Sequence, residues 1–171
     1  MLRLCVIGRV CFQTVAALPR VFQAPLSALA FRLLPGDDLT LSTIAAARAS
    51  SVHAGCIVTC VGSLSCATLR MAGAEEIVRF EEELEIVGLV GTLGCGSGGQ
   101  DSATHHLHLT ASRRDGSVIA GHLKGPALIR TTAEVVLGEL DELSFERGWD
   151  ESTGYAELQI SGLDDGLEYG L

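Results

Sequence analysis

Residues 84–93 read Leu-Glu-Ile-Val-Gly-Leu-Val-Gly-Thr-Leu, an almost unbroken apolar run that predicts a central strand. The segments around it alternate instead. Residues 28–34 place Phe31 and Leu33 on one face and predict a first strand. Residues 55–61 and 64–71 read as two buried strands on either side of Gly62-Ser63. Residues 75–80 are more polar and suit a hairpin arm, 105–112 and 117–123 flank a turn at 113–116, and 133–140 is a further strand. Residues 155–160 suggest one edge strand. Helical spacing occurs once, at Leu41, Ile44, Ala45 and Arg48, after a Pro35-Gly36 turn, with Asp37 or Asp38 placed to cap the first turn. With no βα alternation, the expected class is α+β: a central, mainly antiparallel or mixed sheet with one main helix.

Residues 49–69 carry no Asp, Glu, Lys or Arg and are long enough to span a bilayer. Polar Ser50, Ser51, His53, Thr59, Ser63, Ser65 and Thr68, with Gly55 and Gly62, favour buried strands over a membrane helix.

Charge changes the picture at both ends. Residues 1–36 hold Arg3, Arg9, Arg20 and Arg32 and no acid, whereas the whole chain of 171 residues has net charge −9. The arginine-bearing start has the character of a mitochondrial presequence or a plain extension. Arg9 divides any secretory apolar core, so secretion is not expected, and the expected location is intracellular, cytoplasmic or mitochondrial. The expected organisation is an extension over 1–27, one domain over 28–142, and an acidic, largely solvated extension over 143–171. An acidic surface repels a phosphate backbone, so direct nucleic-acid binding is not expected. The six cysteines form no Cys-x-x-Cys pair and suit small buried side chains in a reducing compartment.

Candidate chemistry concentrates in one hairpin. His105-His106-Leu107-His108-Leu109 is followed by Gly121-His122-Leu123. On a strand, His106 and His108 point to the same face. Register decides where His122 falls. A two-residue turn at Asp115-Gly116 would send it to the opposite face. A three-residue loop, Arg114-Asp115-Gly116 with Gly116 left-handed, sets it directly across from His108. The three-residue loop is the expectation. Three imidazoles on one face suit Zn²⁺ with an open fourth position, so His106, His108 and His122 are the candidate metal ligands and zinc the expected cofactor. An acid–base cluster without metal and a purely structural role are the competing readings.

Other constellations are weaker. Glu85, within the apolar run, is a candidate base or a partner for a metal-bound histidine, and an arginine or backbone partner is the simpler account. Glu134 is read the same way. Gly94-Cys95-Gly96-Ser97-Gly98-Gly99 formally contains Gly-x-Gly-x-x-Gly, yet it leads into a strand rather than a helix, so it reads as a loop able to cover the histidines. Glu81-Glu82-Glu83 reads as a solvated face.

The order of Arg32-Leu33-Leu34-Pro35-Gly36-Asp37-Asp38, Val61-Gly62-Ser63-Leu64, the 85–93 strand, His106-Leu107-His108, Asp115-Gly116-Ser117-Val118, Gly121-His122-Leu123 and Thr132-Ala133-Glu134-Val135 resembles the PPC domain, conserved in plants and prokaryotes. The resemblance covers about residues 28–142. It implies a homotrimer with His106, His108 and His122 clustered as a zinc site. In plant members DNA binding belongs to a separate AT-hook, whose Arg-Gly-Arg-Pro core is absent from this sequence. The expected function is therefore a homotrimeric regulatory or interaction module with a His₃ zinc site, its partners being itself and other proteins. A zinc-dependent hydrolase or lyase acting on a small molecule is the alternative. Direct DNA association is disfavoured, and no membrane partner is expected.

Overall fold

The structure is a computed structural model that describes residues 20–94 and 104–163. The 1–19 part of the N-terminal extension, Cys95 with the rest of the glycine-rich loop, and the last eight residues lie outside the described residues. Strands β1 (Leu26–Leu33), β2 (Gly55–Arg70), β3 (Ile77–Phe80), β4 (Leu84–Gly94), β5 (Thr104–Ser112), β6 (Val118–Leu123) and β7 (Leu128–Leu140) form one sheet. The single described helix, α1 (Leu39–Ala49), follows β1. Strands β8 (Leu143–Asp150) and β9 (Tyr155–Gly162) form a separate hairpin.

Helix α1 starts where the sequence places a cap. Asp38 is extended, and its carboxylate accepts from the Leu41 N–H at 2.9 Å. The other Asp38 carboxylate oxygen accepts from the Ala127 N–H, which ties the helix start to the approach to β7. Leu39, Ile44 and Ala47 are buried, and they bring the helix against the sheet.

The sheet runs β1-β7-β2-β4-β5-β6, and every pairing is antiparallel, so the mixed alternative does not arise. β6 also returns to β2 through Leu69↔Leu123 and Arg70↔His122. Strands β2, β4, β5 and β6 therefore close into a ring. Leu64, Leu69, Leu84, Leu107, Leu109 and Leu123 are almost completely buried in the core. Each contributes roughly 2 kcal/mol or more by leaving water.

Three expectations need correction. Gly62-Ser63 is not a turn between two strands, because β2 is one strand of 16 residues. Gly62 takes φ +151°, where a Cβ would collide with the Thr132 carbonyl, and β2 slips register against β7 between Gly62 and Leu64. A glycine that read as a break is instead a bend within the longest strand. β7 begins five residues earlier than the alternation suggests. Finally, 155–160 is no edge of the main sheet, and 143–163 is no solvated tail. It is the β8–β9 hairpin, with Leu143 and Phe145 buried against Ala54.

Gly91 has the same character as Gly62. At φ +143°, a Cβ there would strike the His106 carbonyl across the β4–β5 pair. Gly91→Ala should destabilise the fold by about 3 kcal/mol, combining backbone strain with a forced shift of β5. Gly116→Ala, left-handed but facing open space, should cost about 1 kcal/mol. Urea denaturation of the two variants checks the contrast.

Candidate metal centre

Hairpin β5–β6 sets the site. Its turn is closed by Gly116 N–H to Arg113 O at 3.0 Å and Arg113 N–H to Ser117 O at 2.8 Å, with Gly116 at φ +83°. Asp115 accepts from both the backbone N–H and the hydroxyl of Ser117, and these bonds pull its carboxyl below the usual range. This is the three-residue loop, and the register follows: His108 pairs with His122 and Thr110 with Ala120. Leu107, Leu109 and Ala111 turn inward and are buried. His106 and His108 turn outward.

The three rings meet. His106 and His122 stack with centroids 4.7 Å apart, and His108 lies 5.0 Å from each. One ligand nitrogen from each ring falls in a set spanning no more than 4.8 Å. His106 Nε2 and His108 Nε2 are 3.0 Å apart. Nitrogens bound tetrahedrally to one Zn²⁺ at ordinary bond lengths stand about 3.4 Å apart, so small ring rotations suffice to seat an ion. A 3.0 Å contact between two such nitrogens requires one to carry a proton and the other a lone pair. Ligation through both would need each ring to hold its proton on Nδ1.

Electrostatics favour ligation. Burial first, then the charge of Lys124, the other two imidazoles and Arg70, lowers the His122 pKa to about 4. Burial and Arg147 lower that of His106, partly opposed by Glu157. Both rings are therefore neutral at pH 7, the state a metal needs. His105 stands apart from the triad, at the end of β5 opposite Leu93. Burial, Lys124 and Arg147 keep it neutral too.

Glu85 is not brought to this group. It is exposed rather than buried and pairs with Ser63 and Ser112. Five residues of β4 separate it from Val90, the residue opposite His108, or about 16 Å of strand. The apolar run misled because β4 has an outer face that is itself apolar, with Val87 and Val90 exposed. Glu134 is likewise exposed on β7. The acidic run proves to be a surface on which Glu81, Glu82 and Glu83 take Arg79, Arg113 and Arg130 at 2.7 to 2.9 Å. Such exposed pairs add little stability.

Sequence reasoning missed the residues around the triad. A cavity of about 990 Å³ opens before the histidines, and Arg70, Lys124, Arg147, Tyr155 and Glu157 help line it. Arg147 reaches from β8 to donate to Thr92 Oγ1 at 3.1 Å, and Thr92 pairs with His106. The Arg70 guanidinium lies 5.9 Å from the Tyr155 ring centre. Lys124 was the readable signal, two residues beyond His122 and so aimed to the same side of the hairpin.

Fold and site together define a small antiparallel β-domain with a facial histidine triad on one hairpin. The chain belongs to the Plants and Prokaryotes Conserved (PCC, or PPC) domain family, whose pattern matches residues 22–141. A hypothetical protein from Salmonella cholerae-suis superimposes with a TM-score of 0.77 at 34% identity, over 83% of this chain and 98% of that one. A metal-containing protein from Archaeoglobus fulgidus aligns with a TM-score of 0.69 at 26% identity, over 82% of this chain and 99% of that one. Among curated proteins, the bifunctional protein GlmU of Synechococcus sp. (strain JA-3-3Ab) is 44% identical over 129 residues, 75% of this chain and 20% of that protein. The chain thus spans about a fifth of the length of that relative. The AT-hook motif nuclear-localized protein 10 of Arabidopsis thaliana is 30% identical over 108 residues, 62% of this chain and 30% of that protein. Among the described residues no helix is long and apolar enough to cross a membrane.

The lowered His122 pKa makes a pH prediction. An unfolded histidine gains its proton near pH 6.5, whereas His122 in the fold resists it down to about 4. Its contribution to stability is complete above pH 6.5 and is lost as pH falls toward 4. Thermal melts of metal-free protein should show this decline, and His122→Gln should flatten it.

Proposed function

We propose that this protein is a zinc-binding PCC module that works as a homotrimer in regulatory or scaffolding contacts with other proteins inside the cell. The observation that carries the metal is the convergence of His106, His108 and His122 within 4.8 Å on one outer face, beside an open cavity. Three imidazole nitrogen donors with room for a fourth ligand suit zinc better than the oxygen-seeking cations. The metal-containing Archaeoglobus relative supports the same reading.

Self-association draws on the outer face of β2 and β4. Val58, Val61, Val87 and Val90 are each 50% or more exposed. Continuing the β2–β4 register sets Val58 opposite Val90 and Val61 opposite Val87. An apolar patch of this kind, next to the histidine strand, suits a subunit contact.

A second reading is a zinc-dependent hydrolase or lyase, and the open cavity before the triad favours it. Zinc held by the three histidines would supply a water activated near neutral pH. Glu157, which lines the cavity, is better placed than Glu85 to take a proton. Direct DNA binding draws no support from a chain of net charge −9 without an Arg-Gly-Arg-Pro segment.

Untagged protein should contain close to one zinc per subunit by elemental mass spectrometry, and the double variant His106→Ala/His108→Ala should contain none. Absence of metal from both after zinc supplementation would overturn the zinc reading. Val90→Glu should convert a trimer to monomers in light scattering after size exclusion while the fold, followed by circular dichroism, persists. An unchanged mass would remove this patch from the subunit contact.

A further inference from the structure

We infer that the cavity before the histidine triad receives a small oxyanion, a molecule whose carboxylate or phosphate group is held by Arg70, Lys124 and Arg147 while it reaches the open position of the metal. The inference deepens the zinc reading and rests on it for the metal contact alone.

The three cations converge from separate parts of the chain: the end of β2, the residue after β6, and β8. Among the described residues the ion pairs are those of Arg79, Arg113 and Arg130, and none engages these three. In a chain with 21 acids and 12 bases, three unpaired bases lining one cavity run against composition. Two of them are held in place by contacts that leave donors free. Arg147 spends one N–H on Thr92, and Arg70 rests against Tyr155. A guanidinium with a remaining fork of donors matches the two oxygens of a carboxylate or phosphate.

The positive field comes from these side chains and, when bound, from the metal. Glu75 and Glu157 also line the cavity. They oppose a ligand charged all round and favour a small one that carries its negative charge at one end. Concavity points the same way, since a nucleic-acid backbone needs an open basic track rather than a cavity.

Isothermal titration of the zinc-loaded protein with methyl phosphate and, in a separate arm, with butyrate, each charged at one end alone, tests this and tells the two oxyanion classes apart. Saturable binding of at least one is expected. Arg147→Gln and Lys124→Gln should each weaken it about tenfold, the loss expected of one charge-assisted hydrogen bond, with zinc content unchanged. Arg70→Gln guards against the case in which the Arg147 variant disturbs β8. Full zinc without saturable binding of either anion overturns the inference, and so does binding indifferent to all three substitutions. Should zinc be absent, the metal reading fails by itself. The same titrations on that protein then decide the cavity: cation-dependent binding supports the anion site, and none removes it.

Discussion

Everything in this fold hangs on β2 being able to bend. A strand of 16 residues that must pair with β7 and β4 early, and with β3 and β6 late, cannot stay flat. Gly62 gives the bend, because at its positive φ the β7 backbone approaches where any side chain would collide. The bend lets Arg70 meet His122 and closes the ring of strands. Without closure, β6 would be a free edge and His122 would lack support on the side away from β5.

Closure fixes strands, but register fixes chemistry. In hairpin β5–β6 a change of one residue in the loop would reverse the face of every β6 side chain. Gly116 in the left-handed conformation and the Asp115–Ser117 bonds hold the loop at its length. The inward leucines of β5 hold the same register from the other side, since any slip would expose them. The arrangement of the three imidazoles is thus held by the burial of Leu107 and Leu109, the direct neighbours of His106 and His108 on the opposite face of β5.

The triad was legible in the sequence because its determinants are local: His-x-His parity, a glycine at the loop end, and a third histidine at the matching distance. Most strands were legible for the same reason. The bend at Gly62 was not, because a Gly-Ser pair between apolar runs has the same appearance whether the chain turns or only twists against a neighbour distant in sequence. Strand β8 was hidden by its charges. Leu143, Phe145 and Trp149 alternate as a strand should, yet Glu142, Glu146 and Asp150 between and beyond them read as solvent-facing tail. Glu85 failed as a candidate for the opposite reason, its apolar neighbours lying partly on an exposed face. The cavity cations were invisible because they come together only through the closed ring and the hairpin packed beside it.

The β8–β9 hairpin lies beyond the residues matched by the family and contributes Arg147, Tyr155 and Glu157 to the cavity. It forms its own two-stranded sheet and rests on a small cluster around Ala54 and Phe145. The histidine triad and one wall of the cavity before it therefore reside in separate parts of the polypeptide. Substitutions in the hairpin can reshape that wall while leaving the strands that carry the triad untouched, so the two can diverge independently.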